Sequence, residues 1–424
     1  MAKVITTELQ HSGASAANIT LDSSKNVTCE NNLQVDGNVT VTGTLPADKL
    51  TGALPAISGA SLTGITSQDT LSFRNLIVNG ACDVAQRGTS DTSDGQSYTT
   101  VDRWQIGWNG LDNVVEKYQG SITSSDTGPW ELGFRNSFKI VNGNQTSGAG
   151  AADFLNVKYR IESQDLATSG WDYQDPNSKV TISFWAKSSV AQTFYWQFET
   201  HQSTTKHYVS AFTLAANTWT KFTKTVGGDS QLNFADSNAQ GMSIFFLPFY
   251  GTDYTASGFT LDTWAAVDGN SQAPDMTSTW YTTNDATLEW TGLQLEVGDT
   301  ATTFEHRTYG EELQRCKRYY QRVTGEQYCF GRTSGAAFEG SIRCDTPMRA
   351  QPSIALEGAG TPVLRMYSMD NATNSSNTPS IFGWNNVNES QFGVYQDGHS
   401  GHTDNRAATA RIEGAKWLKL DAEL

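Results

Sequence analysis

Basic residues are scarce in this chain. Across 424 residues, 29 Lys and Arg stand against 44 Asp and Glu, a formal net charge of −15. Neutralising nucleic-acid phosphates or anionic headgroups takes clustered Lys and Arg, so this balance argues against nucleic acid as a partner. Long apolar runs are missing too. No stretch approaches the roughly 18 residues that span a bilayer, and the opening MAKVITTELQHSGASAANITL lacks the apolar core of a signal peptide. A protein made in a cytoplasm, with no membrane insertion, is expected. The five cysteines (29, 82, 316, 329 and 344) form no CxxC pair. Reduced thiols are expected rather than a disulfide framework, although Cys329 and Cys344 could face each other on neighbouring strands. No GxSxG or cysteine-nucleophile signature occurs, so nucleophilic catalysis has no motif to stand on. No cofactor motif is present either.

Helix formers are sparse outside about 310–322, whereas Thr, Ser, Asn and Gly abound and aromatics reach 11 %. That composition is all-β, and the length calls for more than one core. Residues 1–70 contain no Trp, Tyr or Phe, and cannot form a globular core alone. Short alternating pieces (Ile19/Leu21, Val27/Cys29, Leu33/Val35, Val39/Val41) are separated by turn signals such as Asp36-Gly37-Asn38. Next, LPADKLTGALPAISGASLTGI (45–65) spaces Leu and Ile among Gly, Ser and Pro, a regularity that a flexible linker does not need. Such a thin chain becomes stable when copies wrap around a shared axis. Val39, Val41, Leu50, Leu54 and Ile57 are the expected trimer contacts of a β-shaft over 18–70, following an attachment segment, 1–17.

From Leu71 the runs lengthen and fill with aromatics, predicting a two-sheet antiparallel sandwich over 71–308. Its expected strands include Asn75–Val78, Asp102–Ile106, Phe154–Ile161, Gln192–Glu199 and Thr287–Val297. The last alternates Leu288, Trp290, Gly292, Gln294 and Glu296 on one face against Thr291, Leu293, Leu295 and Val297 on the other. Thr308 with Glu311 then forms a capping-box pattern opening a helix over 309–322. Leu313, Cys316 and Tyr320 fall on its apolar stripe. Too narrow to bury a lone helix, that stripe is expected at a trimer axis. Shorter strands over 323–424 predict a smaller β-sandwich.

Several stretches resemble known proteins. GNVTVTGTLPADKLTGALPAISGASLTGI resembles shaft-proximal segments of bacteriophage fibres, notably of marine and cyanobacterial phages. The runs VTISFWAKS and ANTWTKF resemble strands of jelly-roll carbohydrate-binding modules. NLIVNGACDVAQRGTS…YTTVDRW (75–104) and TGLQLEVGDTATTFEHRTYGEELQRCKRYYQR (291–322) bracket a module similar to one recurrent in phage tail fibres. SIRCDTPMRAQPSIAL and KLDAEL resemble the tip module that follows it. Together these imply a homotrimeric virion fibre, bound to other virion proteins through its N-terminus and adhering to host surface glycan. A head fibre or tail accessory protein would carry the same modules, and a depolymerase is the enzymatic alternative.

Sugar recognition stacks aromatic rings on pyranoses and bonds the hydroxyls with amides and charges. Candidate rings in polar loops are Trp108, Trp130, Trp171, Tyr254, Trp264 and Trp280, with Trp384 beside the tip loop Asn371–Pro379. The long strandless stretch 251–285 is the leading candidate ligand surface or subunit contact. Trp104, Trp185, Trp219 and Trp290 are expected in the core. His399-x-x-His402 is too thin a pattern for a metal site, and His306 is expected to pack at the junction. With 44 acidic residues, carboxylate pairs arise by chance, and no repeat pattern of a parallel β-helix hydrolase appears. The expected role is non-catalytic.

Overall fold

Val, Ile, Thr and aromatic residues recurring at period two favour pleated, half-buried strands, and in the computed structural model they form mainly antiparallel sheets. The structure describes residues 8–9, 19–21, 27–29, 74–201, 205–324, 327–335, 337–357, 363–368, 375–377, 381–382, 388–398, 403–413 and 417–424. The chain divides into two units, Met1–Gln68 and Asp69–Leu424. In the first, β1 (Glu8–Leu9), β2 (Ile19–Leu21) and β3 (Val27–Cys29) pair antiparallel. Two of the alternating pieces are thus strands. Val39, Val41, Leu50, Leu54 and Ile57 lie outside the described residues.

The second unit begins with a jelly-roll-like sandwich of two six-stranded sheets. One runs β15 (Trp264–Ala266), β11 (Lys206–Leu214), β10 (Gln192–Thr200), β13 (Gln240–Tyr250), β8 (Phe154–Glu162), β5 (Trp104–Asn109). The other runs β12 (Thr220–Gly227), β9 (Lys179–Ser188), β17 (Thr287–Val297), β7 (Asn136–Val141), β6 (Glu116–Ser121), β4 (Ser90–Asp91). A short helix, α1 (Ser163–Ala167), follows β8, and β14 (Thr255–Ala256) pairs with β16 (Ala273–Pro274). Alternation sends one face of each sheet inward, where Trp104 stacks on Phe138 and Phe246 at 5.4 and 6.1 Å. Trp290 is also fully buried there, Trp219 is buried in a satellite cluster, and Trp185 packs against that cluster half-buried.

Three expectations need correction. Asn75–Val78 is not a strand: Leu76 N donates to Leu295 O (2.9 Å) and the Asn75 side chain bonds the backbone of Leu293 and Leu295, so the segment braces β17 without joining a ladder. The strict alternation of β17 also fails. Its pairing to β9 shifts between Thr291 and Gln294, with Gly292 at φ 63°, so Leu288, Trp290, Leu293 and Leu295 all enter the core. One bulge residue reverses which face each later side chain occupies. The helix, α2 (Tyr309–Lys317), has the expected capping box but stops five residues early. Tyr320–Thr324 instead forms β18, drawn into a ladder with β27 (Trp417–Asp421).

The smaller sandwich faces a three-stranded sheet, β18-β27-β21 (Ser353–Glu357), against a seven-stranded one. The latter runs β23 (Ser375–Asn377), β22 (Val363–Ser368), β26 (Ala407–Glu413), β19 (Gln327–Ser334), β20 (Ala337–Arg343), β25 (Gln391–Gln396), β24 (Ile381–Phe382). Phe338, Met366, Phe392, Leu418 and Leu420 fill its core. Cys82, Cys316, Cys329 and Cys344 are free thiols. Burial pushes the Cys329 thiol up to about 12.

The two bracketing motifs meet at the junction of the sandwiches. Glu312 of α2 accepts from the Asn79 amide, and Arg307 bonds the carbonyls of Ile77 (3.0 Å) and Asn75 (2.8 Å). Arg103, 1 % exposed, lies 3.5 Å from the Tyr319 ring centre and pairs with Glu423. Arg87 covers Tyr320 at 3.6 Å and reaches Glu423 at 3.3 Å. Cys316 and Tyr320 are therefore buried within one chain and unavailable to a partner, while Leu313 is half-buried. His306, in the link between β17 and α2 where it was expected to pack, lies against Phe134 and Phe304 of the larger sandwich's satellite cluster, with Nε2 2.8 Å from Leu132 O.

Candidate ligand-binding face

Strand alternation in the β15-to-β5 sheet leaves an outer face whose composition is unlike a solvated surface. While Phe194, Trp196 and Phe198 of β10 point into the core, Tyr195, Gln197 and Glu199 point out. Register places Gln197 beside Phe245, Phe245 beside Lys158, and Lys158 beside Gln105, a transverse row across four strands. Lys158 Nζ lies 4.9 Å from the Phe245 ring centre. Opposite Asn156 the neighbouring position is Gly107, where a Cβ would come within 3.0 Å of Asn156 Oδ1.

Both ends of this strip are built up. At one, Phe154 meets Tyr250 and Tyr254 edge to face, in a cluster with Leu247, Ala273 and Met276. Beside them opens a cavity of about 220 Å³, lined in part by Tyr250, Asp275 and Met276. At the other end Arg160 bonds the Leu424 carbonyl. In the strip between, Gln105 Oε1, Asn156 Oδ1 and Gln197 Oε1 are buried and accept no hydrogen bond. Their amide nitrogens are engaged, Asn156 by the Tyr250 hydroxyl at 3.1 Å, Gln197 by Glu199 at 3.4 Å and Gln105 by Ser97 at 3.4 Å. Whichever way each amide is turned, one polar end faces the strip unpaired. A buried acceptor left unsatisfied costs about 1–3 kcal/mol, and three on one face ask for a polar ligand.

The charges of the strip follow from burial. Burial lowers the Lys158 ammonium below the ordinary lysine range, helped by Arg160 and opposed by Glu199. It raises the Glu199 carboxyl, opposed by Lys158 and Arg160. His201, whose Nε2 lies 3.0 Å from Ser243 Oγ, is lowered to about 4 by burial and then by Arg160 and Lys158. Tyr195 is raised by burial and by Asp275. The strip therefore offers ring faces, amide acceptors, an ammonium and a carboxylate side by side.

The aromatic residues singled out in the sequence lie mostly elsewhere. Trp171 and Trp280 are buried in the core, Trp280 Nε1 donating to Thr287 O at 3.0 Å, so neither presents a ring to solvent. Trp264 is in a strand, stacked on Phe198 at 6.3 Å, and Trp108 packs half-buried against the same core. Trp130 sits under the Arg135 guanidinium at 3.6 Å. Tyr254 alone borders the strip, through Phe154 and Tyr250. Trp384, His399 and His402 lie outside the described residues. Within 251–285, β14 pairs with β16 and β15 joins the sheet edge, so the stretch is partly stranded. Gln197, Lys158, Gln105 and Asn156 were missed because they sit inside strands. The usable signal was a polar residue at alternate positions of FYWQFET and FLNVKYRIE.

No family model and no curated protein matches the chain. Among solved structures, a protein of Bacteroides thetaiotaomicron described as sugar-binding is 12 % identical over 53 % of this chain and 100 % of its own, with a TM-score of 0.30. The enzymatically active domain of tailspike protein 4 of bacteriophage CBA120 is 13 % identical over 53 % of this chain and 21 % of its own, with a TM-score of 0.28. A family 11 carbohydrate-binding module of Clostridium thermocellum is 12 % identical over 51 % of this chain and 97 % of its own, with a TM-score of 0.25.

Proposed function

We propose that this chain is a non-catalytic, glycan-binding fibre protein of a phage virion, and that the outer strip of the larger sandwich is its sugar site. One observation carries the binding reading: three buried amide oxygens without partners converge on one face with Tyr195, Phe245 and Lys158. Sugar hydroxyls satisfy such acceptors while ring faces cover the pyranose. Glu199 has two cationic neighbours, Lys158 and Arg160. Those surroundings suit a hydroxyl acceptor more than one of two opposed catalytic carboxylates. The fibre reading and the homotrimer rest on the shaft-like pattern of 18–65 and the bracketing motifs, and trimerisation would turn weak single sites into avidity.

The test is a glycan array followed by titration calorimetry with the best sugar. Gln197→Leu and Lys158→Met should each weaken binding about five- to a hundredfold, the loss of one hydrogen-bonded group, with melting temperature kept. Undiminished binding in both variants would move the site elsewhere. Labelling residues 1–20 in intact particles separates a tail fibre from a head fibre. New reducing ends from host polysaccharide would replace adhesion with hydrolysis.

A further inference from the structure

The larger sandwich holds a second cavity that the strip does not use, between its two sheets rather than on an outer face. One sheet ends at β12, and in the other β15 covers β11 only over Lys206–Tyr208. Past that cover the Asp262 amide donates to Val209 O at 2.8 Å, which brings Leu261 beside Ser210 and Ala211. Cross-strand partners share a face of their sheet. Ser210 pairs with Trp196, Phe222 with Phe184 and Lys224 with Ile182, and those three partners lie in the core. Ser210, Phe222 and Lys224 therefore point between the sheets. A cavity of about 280 Å³ opens there, walled by Phe222 and Leu261 and reaching inward to Trp196.

A lysine directed between two sheets needs a partner, and Lys224 Nζ lies 2.7 Å from Asp262 Oδ2. Both side chains stay partly exposed, so the pair stands at the mouth of the cavity. Asp262 also accepts from the Ser210 and Tyr208 hydroxyls. Burial raises its carboxyl, but the bonds from Lys224 and Ser210 outweigh that and hold it below the ordinary carboxylate range. The mouth thus carries an ammonium and a carboxylate that cancel each other's charge while keeping their capacity for hydrogen bonds. An ammonium has three donors, and Asp262 occupies one. An inward charge on an edge strand also blunts edge-to-edge pairing, but that duty needs no cavity behind it. Phe222 is braced by Phe212 at 5.2 Å and Phe184 at 5.6 Å, so its ring forms a fixed wall. Pockets for drug-sized ligands start at roughly 300 Å³; this one has room for a single small ring and not for a length of chain. A ring wall with donors and acceptors at the rim suits a pyranose, apolar on its C–H face and hydroxylated at its edge. We infer that the slot between β11 and β12 is an end-binding pocket for one neutral sugar residue, the terminal residue of a glycan. The ligand class follows the glycan reading of the chain, but the pocket is separate from the strip and each can fail without the other.

The experiment uses the full chain carrying Gln197→Leu, which disables the strip, and saturation-transfer NMR with the methyl glycosides of glucose, galactose, mannose, N-acetylglucosamine and fucose. At least one should bind with a Kd of about 1 mM, and a tetrasaccharide ending in the same sugar should bind no more than about threefold tighter, since only one ring is held. Lys224→Met should weaken that binding by about tenfold or more, the loss of a charged hydrogen-bonding group. Ala211→Trp, made at an exposed residue of the rim, should block the pocket with melting temperature kept. Binding by none of the five glycosides, or binding unchanged in Ala211→Trp and Lys224→Met, overturns the inference. So does a tetrasaccharide that binds more than tenfold tighter, which would mark an open groove, or a methyl glucuronide that binds more tightly than the glucoside, which would mark an anion site. Aggregation of Lys224→Met with glycoside binding retained would leave Lys224 a guard of the sheet edge and overturn it too.

Discussion

His201 shows how a single side chain reports on the proposed sugar strip. Its ring bonds Ser243 while Lys158 and Arg160 hold it neutral, and the Glu199 carboxylate at 3.9 Å does not reverse that. The folded value is about 4 against an ordinary 6.5. Between those values the unfolded chain takes up a proton that the folded chain refuses. The contribution to stability is therefore complete above pH 6.5 and is lost as pH falls toward 4. Buried Asp102 and Asp165, raised to about 7 and about 6 mainly by burial, slope the other way, because the folded state holds their protons first. The comparison must accordingly be a difference. His201→Asn should lose less stability than the parent between pH 7 and pH 4.5 in urea titrations. Parallel pH profiles would show that the ring is solvated and that the strip is not closed around it.

At the scale of elements, β17 is the instructive case. Gly292 sits at φ 63°, and a Cβ there would lie 2.7 Å from the Phe134 ring. The bulge lets Leu293 and Leu295 enter the core after Trp290, so the strand serves the core on both sides of a parity change. Gly292→Ala should cost about 1–3 kcal/mol from left-handed strain and overpacking, measured as a lowered urea midpoint with unchanged slope. A neutral result would mean that Phe134 yields freely. Sequence periodicity located most strands of both sandwiches and the capping box of α2, because alternation and caps are local. It missed the bulge, since φ leaves no trace in a hydrophobic pattern beyond the glycine itself. It carried α2 on through Tyr320, because pairing with β27, about a hundred residues away, overrode local helix signals. The loop tryptophans misled for a related reason: polar neighbours in sequence do not prevent a ring such as Trp280 from turning into the core. The candidate strip was illegible as a site because its residues come from four strands whose adjacency only register creates.

Across the whole molecule, the fibre-like motifs at 75–104 and 291–322 turn out to hold the two sandwiches together. Arg103 and Arg87 come from the first, Tyr319 and Tyr320 from the second, and Glu423 from the far end of the smaller sandwich. Arg318 adds a two-pronged pair to Glu162 at 2.8 Å on each arm, and Arg349 bonds Asn238 O at 2.6 Å and Ala422 O at 2.8 Å. With the charges buried, each depends on its partner, because removing one member strands the others in a dry interface. Calorimetry of the parent should thus show both sandwiches melting in one transition. Glu423→Gln takes from buried Arg103 the carboxylate it pairs with, while Arg87 keeps Asp421 at 3.4 Å and Asp102 at 3.7 Å, and should cost about 3–5 kcal/mol. The smaller sandwich should then melt ahead of the larger as a separate transition. A single transition at the parent temperature in Glu423→Gln would show that the remaining contacts, the Arg318–Glu162 pair and the packing of Tyr319 and Tyr320 among them, suffice to couple the sandwiches.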